Sequence, residues 1–324
     1  MTLLRKTINS AWTIPIGILF LLLFSVLVIL DPAKTEHSFS ITGFLTPLPI
    51  HIASYWNTIF TGIILILAAF MSLHIVDRFN LIRDKSELPF LFFLFLNLQT
   101  ITKQAELPAL IAGLSIFISY FYMLDAYQQE KSQRNMFNAS LFYSFAALLK
   151  PELLFLFPIL LFGLVYMRIA WFKNIGALIF GCLAPFIASC TIYMLITSRL
   201  PDFTDYLNHF EWKIPSLNDF DIAATSHNLI TLICVLIATA GVFFSTSMDK
   251  VRVRASAYYF LFSFLCFELF AFIQPQKESV FTFCANFFAA FILAYYFTIK
   301  KGRFNNYLFV LLLLTYVASA IWFI

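Results

Sequence analysis

Apolar segments of membrane-spanning length recur along the whole chain, and this recurrence constrains the fold more than any other feature. A helix needs about 17–25 apolar residues to cross ~30 Å of hydrocarbon. Of the 324 residues, 61% are hydrophobic and only 12% are charged, whereas a soluble domain is charged at about a quarter of its positions. The sequence therefore predicts an all-α fold, a polytopic transmembrane helical bundle.

Hydropathy predicts about eleven helices separated by short polar loops. The predicted spans are 12–30, 58–76, 88–101, 107–124, 139–149, 152–170, 174–197, 229–245, 257–273, 280–298 and 307–324. The first is interpreted as a retained helix rather than a signal peptide, because no small-x-small cleavage site follows it. No stretch between the spans is long enough for a soluble domain. We therefore expect a single integral membrane domain over residues 1–324.

Basic residues are distributed unevenly between the predicted loops. With the N-terminus inside, fifteen of the 21 Lys and Arg residues fall in inner loops and the rest in outer loops. Lys and Arg concentrate on the cytoplasmic side of membrane proteins. The sequence thus predicts an inside N-terminus, an outside C-terminus and two longer outer-face loops, at about 31–57 and 198–228.

A charged pair with a proline interrupts one apolar run. In "SFAALLKPELLFLFPILLFGLV", residues 144–165, Lys150 and Glu152 flank Pro151. Proline suits the first position of a new helix, and an acid suits its first turn. The sequence therefore predicts a tight helical hairpin rather than one long helix kinked at Pro151. At the outer face, Lys150 either holds a lipid phosphate or only anchors the hairpin, through Glu152 or a phospholipid.

Two segments carry a resemblance to a known family. "RNMFNASLFYSFAALLKPELLFLFPILLFGLVYMR" (134–168) and "LFSFLCFELFAFIQPQKESVFTFCANFFAAFILAYYF" (261–297), with Lys277 in its outer turn, resemble the C superfamily of glycosyltransferases (GT-C). The resemblance extends over residues 107–298. The alternative is another family of bacterial inner-membrane proteins, because such proteins show much the same pattern of helices. The resemblance implies a membrane enzyme of a bacterial inner (cytoplasmic) membrane. Such an enzyme uses a polyprenyl-phosphate-linked sugar donor in envelope glycan or glycoprotein assembly.

Transfer of a sugar from a lipid phosphate needs a grip on the departing phosphate, a general base and a cavity that excludes water. We expect Lys150 and Lys277, together with Arg199, to bind the phosphate. The resemblance implies an acid in the first outer loop, where Asp31 and Glu36 stand, and one of them is predicted to be the catalytic base. The alternative for Asp31 is a solvated carboxylate in a helix-ending turn.

Nothing in the sequence predicts a metal site or a cofactor. Asp202 and Asp205 stand three residues apart without a further ligand, so they are interpreted as solvated loop charges. His209 and His227 lack zinc-ligand spacing and are interpreted as loop or interfacial residues. A divalent cation is compatible with the predicted chemistry but has no support of its own. The basic residues are spread along loops and form no single basic face, which argues against a nucleic-acid surface. Membrane lipids are the expected partners.

Two other functions fit the same architecture. A small-solute or lipid transporter predicts broken helices and ionisable residues inside spans, and Glu268 is the best candidate for a buried carboxylate. Asn97 and Asn286 are explained by snorkelling or by hydrogen bonds between helices. A non-catalytic scaffold of an envelope complex contradicts nothing in the sequence, and no residue identifies a protein partner.

Overall fold

The computed structural model of the chain is helical apart from one small β-hairpin within the residues it describes. Those residues are 12–30, 39–41, 48–50, 54–82, 86–103, 106–129, 131–169, 171–198, 221–243, 251–274, 278–300 and 302–322. In the hairpin, β1 (Phe39–Ile41) pairs antiparallel with β2 (Leu48–Ile50).

The α-helices among these residues follow the predicted spans. They are α1 (Thr13–Leu30), α2 (Ser54–Phe79), α3 (Leu88–Leu96), α4 (Leu98–Thr102), α5 (Leu107–Asp125), α6 (Gln133–Leu149), α7 (Pro158–Tyr166), α8 (Trp171–Thr197), α9 (Ile222–Phe243), α10 (Val251–Ile273), α11 (Glu278–Ile299) and α12 (Arg303–Ile321). A 3-10 helix, Pro151–Leu156, precedes α7. Because α3 and α4 share one apolar segment, and the 3-10 helix and α7 another, the described helices occupy the eleven predicted spans.

Eight of the described helices are long and apolar enough to cross a membrane. Together with the apolar composition, this confirms the predicted polytopic helical bundle, and the protein is an integral membrane protein. The predicted inside and outside positions of the termini stay predictions. Both longer outer-face loops lie mainly outside the described residues.

The helices group into two compact units. Unit 1 comprises Met1–His37, Ala53–Ala105 and Pro215–Ile324, and unit 2 comprises Ser38–Ile52 and Glu106–Ile214. In unit 1, α11 packs against α3, α9 and α10. Every residue in the most apolar 18-residue stretch of α11 is buried. In unit 2, α6 packs chiefly against α5 and α8. Both units consist mostly of membrane-type helices. The assignment of residues 1–324 to one membrane domain stays a prediction.

Two predicted spans are short, and each is explained differently by the structure. Every residue of α3 and α4 is buried, so neighbouring helices shield this segment from lipid and it needs no full membrane length. By contrast, α6 begins at Gln133 rather than at residue 139 and has 17 residues. Its polar first turn hid this start from a hydropathy reading.

The chain reverses direction at Lys150, as the sequence predicts. Lys150 has extended backbone angles (φ −136°, ψ 95°) between α6 and the 3-10 helix. The Tyr143 hydroxyl donates to the Leu153 carbonyl at 2.9 Å, and the rings of Tyr143 and Phe157 are 5.9 Å apart. In a continuous helix, Tyr143 and Phe157 would be about 21 Å apart at 1.5 Å per residue. A single helix kinked at Pro151 is therefore excluded.

The returning arm of this hairpin ends beside the loop that precedes α6. The Gln128 amide donates to the Met167 carbonyl at 3.3 Å, although α6 and α7 lie between them in sequence. At the helix ends nearby, Asn135 donates to Asp125 at 3.0 Å. In unit 2, successive helices α5, α6 and α7 thus run in opposite directions, as the loop charges predict. Which end faces the cytoplasm stays a prediction.

Candidate functional site

One of the five predicted site residues, Lys150, lies within the described part of the chain. The predicted catalytic acids, Asp31 and Glu36, lie outside it, as do the predicted phosphate ligands Arg199 and Lys277. Their roles stay predictions, and so does a phosphate site shared by Lys150 and Lys277.

The Lys150 side chain forms an ion pair with Glu106. Glu106 is the N-cap residue of α5, and its side chain makes no capping hydrogen bond. The Lys150 side chain is 15% exposed, whereas that of Glu106 is 56% exposed. The hairpin and the start of α5 thus bring together a mostly buried ammonium and an exposed carboxylate. We call Lys150 and Glu106 the hairpin ion pair.

Sequence reasoning missed Glu106. The expected protein partner of Lys150 was Glu152, which is buried in the first turn of the 3-10 helix. The predicted topology could have pointed to Glu106, because its loop is assigned to the same membrane face as Lys150. Choosing between the two acids required the packing of α5 against α6.

A second polar group lies inside unit 1, where the helix formed by α3 and α4 is broken at Asn97. The Thr100 amide donates to the Asn97 carbonyl instead of continuing the helical ladder to Leu96. The Asn286 side-chain amide of α11 donates to the Leu96 carbonyl and to Asn97 Oδ1, both at 3.1 Å. Within a membrane, such a break is tolerated where a neighbouring helix satisfies the freed backbone group. We call this group the Asn97 break.

The predicted role of Asn97 and Asn286 in hydrogen bonding between helices is confirmed. Their side chains bond directly to each other, and both residues are fully or almost fully buried. Gln99 is also buried, two residues beyond Asn97. The Asn97 break is therefore an interior feature of unit 1 rather than a snorkelling contact at a span end.

A third group surrounds His227, which is 1% exposed and lies in the second turn of α9. Its Nδ1 is 3.2 Å from the Ser319 hydroxyl of α12, and its ring centroid is 5.1 Å from that of Tyr316. The Thr231 hydroxyl donates to the His227 carbonyl and lies 3.3 Å from the Tyr316 hydroxyl. His227 therefore lies in a helix and not in a loop, while its predicted position at the membrane interface stays a prediction. The first turns of α9 carry polar residues, so hydropathy alone assigns them to a loop.

A second ion pair joins two helix ends in unit 1. Lys103, the C-cap residue of α4, is 3.2 Å from a carboxylate oxygen of Asp221. The same carboxylate accepts the Ala223 amide at 3.0 Å in the first turn of α9. A cation at a helix C-terminus and an acid at a helix N-terminus both complement the helix dipole. This ion pair thus stabilises the contact between two helix ends. It is compared below with the hairpin ion pair.

No group of three or more His, Cys, Asp or Glu side chains that could hold a metal ion occurs among the described residues. Asp202, Asp205 and His209 lie outside that part of the chain. The polar groups described above are two ion pairs, Lys150 with Glu106 and Lys103 with Asp221, and neutral hydrogen bonds in the interior of unit 1.

Comparison with known proteins yields no relative for this chain: no family model, no curated protein and no solved structure matches it. The resemblance to GT-C enzymes accordingly stays a hypothesis, carried by the residues quoted above.

Proposed function

We propose that the protein is a GT-C-like glycosyltransferase that takes a sugar from a polyprenyl-phosphate-linked donor at the membrane face carrying Lys150. The observation that carries the proposal is the hairpin ion pair. A lysine is fixed by a rigid helical turn, with a carboxylate in reach. This arrangement suits a group that must grip an anionic headgroup at a defined depth.

In the proposed reaction, the acceptor hydroxyl attacks the anomeric carbon of the sugar. The bond from that carbon to the phosphate oxygen breaks, and the polyprenyl phosphate leaves with the electron pair. Lys150, with Lys277 and Arg199, stabilises the charge that develops on the departing phosphate. Asp31 or Glu36 takes the proton of the acceptor hydroxyl. The proposed setting is envelope glycan or glycoprotein assembly in a bacterial inner membrane.

A donor-consumption assay tests this proposal. Membranes containing the wild-type protein, Lys150→Met or Asp31→Asn are given a radiolabelled hexosyl polyprenyl phosphate, and the polyprenyl phosphate released is measured. Loss of one charge-assisted contact to the phosphate should slow release by about ten- to hundredfold in Lys150→Met. Asp31→Asn should abolish release if Asp31 is the base. Each rate is normalised to the abundance of the variant in the membrane.

Asp221→Asn serves as the matched control, because it also releases a lysine from a carboxylate but lies in unit 1. Its rate should equal that of the wild type. Release by wild-type membranes no faster than by membranes lacking the protein would contradict the proposal. Equal rates for wild type and Lys150→Met would remove Lys150 from it.

A transporter of a lipid or small solute is the second candidate, and the Asn97 break favours it. Interrupted helices inside a membrane bundle are a recurrent feature of transporter binding sites. Proteoliposomes that hold a fluorescent polyprenyl phosphosugar separate the candidates. Movement of the lipid across the bilayer without cleavage indicates a transporter, and cleavage without movement indicates a transferase. A protein that does neither is better explained as a scaffold.

A further inference from the structure

The two members of the hairpin ion pair differ in how firmly they are held. Lys150 closes α6 through its amide, which donates to the Ala146 carbonyl at 2.9 Å, and Pro151 follows it directly. Its side chain is also mostly buried, at 15% exposure. Glu106 is more than half exposed, and its side chain makes no cap contact that a movement would break. The cation is thus the fixed member, and the carboxylate is the member that can swing into water.

Releasing Glu106 alone would leave an ammonium in a poorly hydrated place, which is costly unless another anion replaces the carboxylate. The released carboxylate would keep part of its stabilisation, because it stays near the N-terminus of α5. Exchange of one anion for another at Lys150 is therefore much less costly than opening of the pair. The group that replaces Glu106 must itself carry negative charge.

We propose that Glu106 competes with the ligand for Lys150, so that an anionic phosphate headgroup binds by displacing the Glu106 carboxylate. This inference rests on the proposed function, in which Lys150 binds the phosphate of a lipid-linked sugar. A tethered carboxylate competes at an effective concentration of order millimolar. Free phosphate in solution competes poorly with it, whereas a lipid phosphate is confined to the same membrane face. Glu106 thereby selects phosphate that arrives on a lipid.

Binding to the protein in lipid nanodiscs tests the inference. The probes are a polyprenyl monophosphate, the matching polyprenol without phosphate, and inorganic phosphate. The proteins are wild type, Glu106→Gln, Lys150→Gln and the double variant. Glu106→Gln should bind the polyprenyl monophosphate about tenfold more tightly than the wild type, since a neutral amide competes less for the ammonium. It should also show measurable binding of inorganic phosphate.

Lys150→Gln should bind the polyprenyl monophosphate at least about tenfold more weakly than the wild type. The double variant should equal Lys150→Gln, because Glu106 acts through Lys150. Polyprenol should bind all four proteins equally. Asp221→Asn, which releases Lys103 instead, should bind like the wild type. If Glu106→Gln is poorly folded, Glu106→Asp, with its shorter reach, should give a smaller gain in affinity of the same sign.

Unchanged or weaker binding of the polyprenyl monophosphate by Glu106→Gln and Glu106→Asp would overturn displacement while leaving the proposed function intact. Equal binding by wild type and Lys150→Gln would overturn both, because Lys150 would then not hold the phosphate. A gain for inorganic phosphate in Glu106→Gln without a gain for the lipid would show a site for free phosphate and would contradict the lipid selectivity.

Discussion

Units 1 and 2 differ in the polar side-chain contacts that join their helices. In unit 1, the buried contact between Asn97 and Asn286 lies at a break inside an apolar segment, whereas the ion pair of Lys103 with Asp221 lies at two helix ends. In unit 2, the hairpin ion pair and the contact of Asn135 with Asp125 lie at helix ends, and the buried Tyr143 hydroxyl bonds to Leu153 within the hairpin. Within unit 1 a broken helical segment is therefore joined to its neighbour by buried hydrogen bonds, whereas within unit 2 a hairpin is joined to the start of α5 by an ion pair.

In unit 2, α6 and α8 also approach each other closely where they cross at Gly181. A Cβ placed on Gly181 of α8 would collide with the backbone of Phe137 and with the Ser140 side chain of α6. Small residues at such crossings let membrane helices pack closely and gain van der Waals contact. The comparison predicts that the Asn97 break in unit 1 is sensitive to lost hydrogen bonds and that the crossing of α6 and α8 in unit 2 is sensitive to added volume.

The largest effect is expected from Asn286→Leu in unit 1. It removes the donor to both Leu96 O and Asn97 Oδ1 and leaves two buried acceptors without it, which should cost about 3 kcal/mol. Asn135→Leu, which removes a part-buried contact at a helix end of unit 2, should cost less than about 1 kcal/mol. Thermal unfolding of both variants in one detergent measures the difference. Equal losses would refute the contrast between interior and end contacts.

Gly181→Ala should have the next largest effect, because its methyl group meets backbone rather than a flexible side chain. Overpacking of this kind costs about 1–3 kcal/mol. Gly176→Ala on the same helix is the control, since nothing lies within 4 Å of its Cβ position, and it should leave stability unchanged or raise it. A melting temperature for Gly181→Ala equal to that of Gly176→Ala would mean that α6 and α8 do not pack closely there.

The two ion pairs should differ in their contribution to stability. Glu106→Gln leaves the mostly buried Lys150 without its carboxylate and should destabilise by about 1–2 kcal/mol. Asp221→Asn breaks the pair with Lys103, in which the Asp221 side chain is 49% exposed, and should cost about 0.5 kcal/mol or less. Melting curves at low and high salt test this. The cost for Asp221→Asn should shrink further in high salt.

Tyr316→Phe should have the smallest effect, about 0.6 kcal/mol, the average for a hydrogen bond between membrane helices. The Thr231 hydroxyl keeps its bond to the His227 carbonyl, so no buried group loses its last partner. Tyr307→Phe on the exposed face of the same helix should change nothing. A loss above about 2 kcal/mol for Tyr316→Phe would show that the hydroxyls around His227 act as one coupled network.

Much of the fold was predictable from the sequence because lipid restricts the chain to helices of a certain length and hydropathy. The start of α6 was predicted six residues late, and the start of α9 seven residues late. Polar side chains near the start of both helices contact protein, as do those of Ser132, the N-cap residue of α6, and His227, in the second turn of α9. Hydropathy cannot separate a polar residue that faces a neighbouring helix from one in a loop.

The sequence by itself determined that this is a bundle of membrane helices and that the chain turns back at Lys150, since proline fixes that turn locally. Only the tertiary structure decided which groups meet: Lys150 with Glu106, 44 residues away, and Asn286 with Asn97, 189 residues away. Apolar composition is satisfied by many packings of the same helices. Hydrogen bonds are directional and short in range, and an ion pair needs its two side chains within about 4 Å, so their partners depend on the one packing that the chain adopts.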